Sequence, residues 1–142
     1  MTTAKYTVLF IFSLAILALV SLVQAQEVKK LKLPNGEEVM DIRGEWDAEL
    51  EHSGPWSGLG TYTNVIKITQ EGNSFVGIRM KIDKRNLPNS VAFRGELDKD
   101  GIKKLTWMGD AGPMDMKGEV IEDANKIIID FGEKGRATLI RK

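Results

Sequence analysis

Asp41-Ile42-Arg43-Gly44-Glu45-Trp46-Asp47-Ala48-Glu49-Leu50-Glu51-His52 alternates without a fault. Ile42, Gly44, Trp46, Ala48, Leu50 and His52 share one parity, while Arg43, Glu45, Asp47, Glu49 and Glu51 share the other. A period of two with one charged face is the pattern of a strand that is buried on one side and wet on the other.

The same period continues downstream. Tyr62, Asn64, Ile66 and Ile68 alternate with Thr61, Thr63, Val65 and Lys67, and a turn at Glu71-Gly72-Asn73-Ser74 leads into Val76, Ile78, Met80 and Ile82. That aliphatic series is assigned to the inner face, with Gly77, Arg79 and Lys81 outside, although the parity of Gly77 sits awkwardly with this choice. A second pair runs from Val91 to Leu97 and from Ile102 to Met108, and three further strands cover Met114 to Val120, Lys126 to Phe131 and Arg136 to Arg141. Most links are short turns rich in Gly, Asp and Asn, the signature of antiparallel hairpins. No window after Gln26 carries a 3.6-residue apolar period, so the fold class is all-β.

Eight sequential antiparallel strands close naturally into an up-and-down barrel, which leaves no exposed edge; a β-sandwich is the alternative. A membrane barrel conflicts with Glu45, Asp47, Glu49, Arg94, Glu96, Asp115 and Lys117, which would face lipid. Arg43-Gly44-Glu45, Arg94-Gly95-Glu96 and Lys117-Gly118-Glu119 repeat one short pattern, each with its glycine on the inner parity. A strand-interior glycine permits the sharp bending that a small barrel needs.

Upstream, Lys5 is the lone charge before Glu27, and an apolar run extends from Val8 to Val23. It ends in Val23-Gln24-Ala25, which predicts a secretory signal peptide over residues 1–25 with cleavage after Ala25. An uncleaved anchor is the alternative, and it would be the chain's one attachment to a membrane. The expected organisation is a signal peptide (1–25), an N-terminal extension (26–40) and a barrel domain (41–142), secreted or periplasmic. No cysteine follows the apolar run, so lipid anchoring of the bacterial lipoprotein kind has no acceptor.

Composition removes several function classes. Twenty basic and twenty acidic side chains leave no net charge and no one-sided patch to attract nucleic acid. The missing cysteine excludes zinc ribbons, iron–sulfur centres and thiol catalysis, and a single histidine, His52, excludes multi-histidine metal sites. No serine lies in a G-x-S-x-G context, and the carboxylates of the first strand fall on one outer face rather than across a cleft. No catalytic residue, cofactor or metal ion is expected. His52 reads as a hydrogen-bonded or solvated side chain near the mouth rather than as a haem ligand or general base.

In a meander the links alternate between the two barrel ends. The long links, Ser53 to Gly60, Asp83 to Ser90 and Gly109 to Pro113, all fall at one end. Long loops over an apolar interior are where binding residues collect on a rigid scaffold. Trp56 and Leu59 in the first link and Leu87 in the second, with His52, Tyr62 and Trp107 on the adjoining strands, are therefore the candidate ligand contacts. Pro113 is expected to gather at the same mouth, and the opposite end to carry tight polar turns alone. A cavity of ~300 Å³ or more at that mouth would favour a small ligand, and a filled lumen would favour a protein-interaction module.

Gly44-Glu45-Trp46 on the first strand, eight strands in meander order, a long first loop and a basic last strand (Arg136, Arg141, Lys142) resemble the calycin superfamily, which includes lipocalins, fatty-acid-binding proteins and avidin-like proteins. The resemblance implies a binder of a small apolar or amphipathic molecule, and a cation-π contact between Trp46 and a terminal basic residue, Arg141 before Arg136, at the closed end. No Thr-Asp-Tyr stretch, terminal helix or disulfide accompanies it. The other reading is a non-enzymatic interaction or inhibitor-like barrel that presents the long-loop end to a protein partner.

Overall fold

The computed structural model describes residues 28–82 and 88–142. The expected signal segment and Asp83 to Leu87 of the second long link lie outside the described residues. Ten strands follow one another: β1 (Lys30–Lys32), β2 (Glu38–Met40), β3 (Gly44–His52), β4 (Thr61–Glu71), β5 (Ser74–Arg79), β6 (Val91–Asp98), β7 (Gly101–Gly109), β8 (Gly112–Ile121), β9 (Lys126–Asp130) and β10 (Gly135–Arg141). β3 to β10 form a closed antiparallel barrel in chain order, with β10 returning to β3 from Gly135↔His52 to Arg141↔Trp46. The eight-stranded meander is thus the fold, and the sandwich is set aside.

β3 has the burial its alternation predicts: Trp46, Ala48 and Leu50 are buried and the intervening acids are exposed. β8 and β10 alternate in the same sense. The lumen holds a chain of rings. Phe75 meets Phe93 at 6.2 Å between centroids, Phe93 stacks on Trp107 at 6.0 Å, and Trp107 meets Phe131 edge-on at 5.1 Å.

β5 corrects the sequence reading. Its buried residues are Phe75, Gly77 and Arg79, while Val76 and Ile78 are half-buried on the outer wall and Met80 and Ile82 beyond them are exposed. The cause is steric. A Cβ on Gly77 would overlap the Phe93 ring, so the inner wall needs a glycine opposite that phenylalanine, and Phe75 and Arg79 follow it inward. Gly95 makes the same space for Phe75. These glycines are seats for rings from the neighbouring strand as well as points of curvature.

The extension before Asp41 is also more than a tail. β1 and β2 pair as a hairpin at the closed end, where Val39 is buried and Leu31, Leu33 and Met40 pack on the core. Gln70 fastens it: its side chain accepts from the Ile42 amide at 3.0 Å and donates to the Met40 carbonyl at 3.1 Å. The closed end therefore carries a cap besides the tight turns. Arg141 stands here over Trp46, as the resemblance implied, with its guanidinium carbon 4.4 Å from the ring centroid. Arg136 is instead on the outer wall, paired with Glu51 at 2.8 Å.

The third long link is shorter than expected. β7 runs to Gly109 and β8 starts at Gly112, so Asp110-Ala111 is a two-residue turn and Pro113 is an exposed strand residue opposite Met108. A continuous ladder across Gly109↔Gly112 uses backbone groups that a loop would leave to water.

Candidate functional site: a cup at the barrel mouth

The first long link leaves β3 at His52 and returns at Thr61 through a 3-10 helix, Gly54–Leu59, with Pro55 in its first turn. A proline suits that position because its missing N–H would have no helical partner. Ser53 ties the link to the neighbouring β9–β10 link: its hydroxyl donates to the Glu133 carbonyl at 2.8 Å and its amide to the Lys134 carbonyl at 3.0 Å. These bonds carry the contact between β3 and β10 past the last rung of their ladder, Gly135↔His52.

Trp56 packs inward from this loop against the core. Its ring lies 6.0 Å from His52 and 6.0 Å from Phe131 between centroids, and Lys134 Nζ stands 4.9 Å from its centre. Trp56 is partly buried against the core, so it is a wall of the mouth and not a free-standing lid. His52 stacks on Tyr62 at 5.4 Å with the planes 24° apart. Its Nδ1 lies 2.7 Å from the Gly60 carbonyl, which can only accept, so Nδ1 carries a proton. A hydrolytic triad would need a carboxylate in that place.

Arg79 enters from β5 and is 4% exposed. Nη1 donates to the Val91 carbonyl at 2.6 Å, Nη2 donates to the Met108 carbonyl at 3.0 Å, and the guanidinium carbon is 5.5 Å from the Trp107 centroid. Burying a guanidinium is costly unless its donors are matched, and the carbonyls at the mouth ends of β6 and β7 supply partners.

These groups surround a cup of about 270 Å³. His52, Trp56, Leu59, Tyr62 and Trp107, five of the six predicted contacts, line it together with Arg79, Asp110 and Met114. Leu87, the sixth, lies outside the described residues, and Pro113 does not line the cup. Among the described residues the bordering links are the first and third. Arg79 escaped the sequence reading because the aliphatic run around it claimed the inner parity; the parity of Gly77 was the signal that pointed the other way.

The cup is just under the ~300 Å³ that favours a ligand, and the lumen beneath it is filled by Trp107, Phe93 and Phe131. At ~30 Å³ per water molecule in the liquid, it has room for about nine waters, or a molecule of on the order of ten non-hydrogen atoms. Trp56, Leu59, Trp107 and Met114 offer apolar contact, while His52, Tyr62, Arg79 and Asp110 bring polar atoms to the same space. Larger hollows of about 650 and 610 Å³ lie elsewhere, among many charged side chains, and lack aromatic walls. Among the described residues no three His, Asp or Glu side chains come close enough to share a metal ion. Comparison with known proteins returns no matching family, no matching curated relative and no matching solved structure.

Proposed function

We propose that the protein is an exported, calycin-like barrel that holds a small amphipathic molecule in the cup at its mouth. The observation that carries this reading is the convergence of four aromatic residues from separate elements, His52, Trp56, Tyr62 and Trp107, around one cup that also contains the buried cation Arg79. Side chains that merely filled the barrel would close this space, as Phe75 and Phe93 do below it. A ring-sized body fits between the indoles, and a polar end fits the side of Tyr62, Arg79 and Asp110. Export is supported by the lone Lys5, the apolar run and Val23-Gln24-Ala25.

Native mass spectrometry of protein purified from its own host tests the reading by looking for a retained small mass. Titration with 2-naphthol, a fluorescent amphipathic ring of suitable size, gives a second readout. Trp56→Ala should weaken its binding by on the order of tenfold while the barrel stays folded, with a stability loss of about 1–2 kcal/mol from the contacts with His52 and Phe131. Binding that is unchanged in the folded variant would place the site elsewhere.

The filled lumen favours a second reading, in which the mouth is presented to a protein partner. The 3-10 helix and the Asp110-Ala111 turn would then form the contact, and no small mass would be retained.

A further inference from the structure

On the reading that the cup holds a small amphipathic molecule, on which this depends, we infer that His52 selects that molecule, and that it is a ring bearing a hydrogen-bond donor, a phenolic hydroxyl or a ring N–H. A neutral imidazole with one nitrogen protonated is an acceptor at the other. The Gly60 carbonyl, 2.7 Å from Nδ1, decides which is which and leaves the lone pair on Nε2. Nε2 has no hydrogen-bond partner among the described residues. No side-chain nitrogen or oxygen without a partner is sealed from solvent among the described buried and half-buried residues, and His52 is half-buried. Nε2 therefore opens onto solvent-filled space, and the cup is the hollow that His52 lines. Gly60, which holds the other nitrogen, does not line it.

The acceptor is held in place before any ligand arrives. Stacking on Tyr62 at 5.4 Å and the Trp56 ring at 6.0 Å fix the plane of the imidazole, and the bond from Nδ1 fixes its rotation. A fixed acceptor discriminates through what it is denied: a molecule without a donor displaces the water at Nε2 and returns no hydrogen bond. An ether or carboxylate oxygen would also set lone pair against lone pair. Arg79 does not by itself call for an acid, because its Nη1 and Nη2 already donate to the Val91 and Met108 carbonyls. The indoles of Trp56 and Trp107 supply flat walls for the ring that carries the donor.

Fluorescence titration tests this with 2-naphthol, its methyl ether 2-methoxynaphthalene and the acid 2-naphthoate, on protein purified from cells expressing the full chain. At about pH 8 an ordinary imidazole is neutral. The ether keeps the ring and the oxygen and loses the donor, and the acid offers acceptors alone. Wild type should bind 2-naphthol about five- to tenfold more tightly than either of the others. His52→Phe keeps a ring to stack on Tyr62 and removes the acceptor. In it the preference for 2-naphthol over the ether should fall to about twofold or less, while the ether binds as it does to wild type. Melting curves verify that the variant is folded, and His52→Leu, which also lacks the acceptor, replaces it if the phenylalanine unfolds the chain. Equal affinity of wild type for 2-naphthol and its ether would overturn the inference and leave the cup reading standing. So would a preference that survives in the folded His52 variant, or tighter binding of 2-naphthoate than of 2-naphthol. Failure of all these compounds to bind wild type, or binding that Trp56→Ala leaves unchanged, would overturn the cup reading and this inference with it.

Discussion

Arg141 and Trp46 close the base of the barrel together. The guanidinium lies 4.4 Å from the indole centroid and donates to three main-chain carbonyls, those of Asp41 at 2.8 Å, Arg43 at 2.7 Å and Ala124 at 2.8 and 3.0 Å. The indole N–H donates to the Ile42 carbonyl at 3.1 Å. One planar side chain thus joins the entry to β3, the β8–β9 turn and the end of β10. Burial holds the Arg141 pKa below its ordinary value, but an arginine remains charged at any pH at which the protein folds.

Arg141→Ala should destabilise the fold by roughly 2–4 kcal/mol, since it strands several carbonyls at once. Arg141→Lys should restore less than half of that loss, because an ammonium replaces the fork with a point charge. Trp46→Ala should cost roughly 3–5 kcal/mol. In urea unfolding the double variant should lose less than the sum of the two, as contacting residues do. Additive losses would show that the two side chains act independently.

Asp41 makes the stability of the base depend on acid. Its carboxylate accepts from Arg43 Nε at 2.9 Å and Nη2 at 2.7 Å, and this bonding holds its pKa below the ordinary value of 3.8, against the opposing effect of burial. A pKa depressed by folding contributes stability that is fully present above the unfolded value and is lost as pH falls through the folded value. Asp41→Asn should therefore be less stable than wild type at neutral pH, and the difference should shrink as the pH drops below about 3.8. Melting temperatures of both proteins along an acid series measure this directly. A constant difference would mean that the Asp41 carboxylate contributes nothing through its charge.

The turn between β8 and β9 holds three successive non-glycine residues in the left-handed region: Glu122 (φ 53°), Asp123 (φ 54°) and Ala124 (φ 62°). Each such residue costs roughly 1–2 kcal/mol against a right-handed one. The Arg141 bonds to the Ala124 carbonyl help to hold the turn in place. Asp123→Gly should relieve one of these costs, less the extra freedom glycine gives the unfolded chain, and raise stability by about 0.5–1 kcal/mol. An unchanged or lower denaturation midpoint would show that the Asp123 side chain contributes to the turn.

Gly77→Ala should be destabilising by roughly 1–3 kcal/mol, because its methyl group would overlap the Phe93 ring. Phe93→Leu should rescue part of that loss in the double variant, although the same change alone is destabilising. Urea midpoints of the four proteins decide it, and a loss that Phe93→Leu does not alter would place the obstruction in the backbone.

The parts of the fold that were legible in the sequence are those where one face of a strand is charged. β3 is unambiguous because a one-residue shift would bury its row of acids. β5 is not, because both of its faces have something to offer the interior: aliphatic side chains on one, and Phe75, Gly77 and Arg79 on the other. Only the ring of Phe93, on a different strand, decides between them. The mouth residues on or beside β3 and β4 were legible from loop length and parity. Arg79 was not, because a guanidinium becomes an acceptable inner residue only when Val91 and Met108 carbonyls and the Trp107 face are in place around it. The hairpin over the closed end was hidden for a related reason. Three-residue strands are too short for alternation to register, and their burial comes from the barrel they cover.

The hairpin cap has one more consequence. The Lys29 carbonyl accepts from the Asp41 amide at 2.8 Å, the Lys142 amide donates to the Glu45 carbonyl at 3.0 Å, and Lys29 and Lys142 border the same cleft. Residues 29 and 142 therefore lie together at one pole, and the cup opens at the other. Cargo, surface or fusion partner tethered at residue 28 or 142 hangs from the base and leaves the opening unobstructed. A short peptide bridge across that cleft could join the two positions into a ring, with new ends cut at a tight turn such as Lys99-Asp100, and every rung of the barrel would survive the operation.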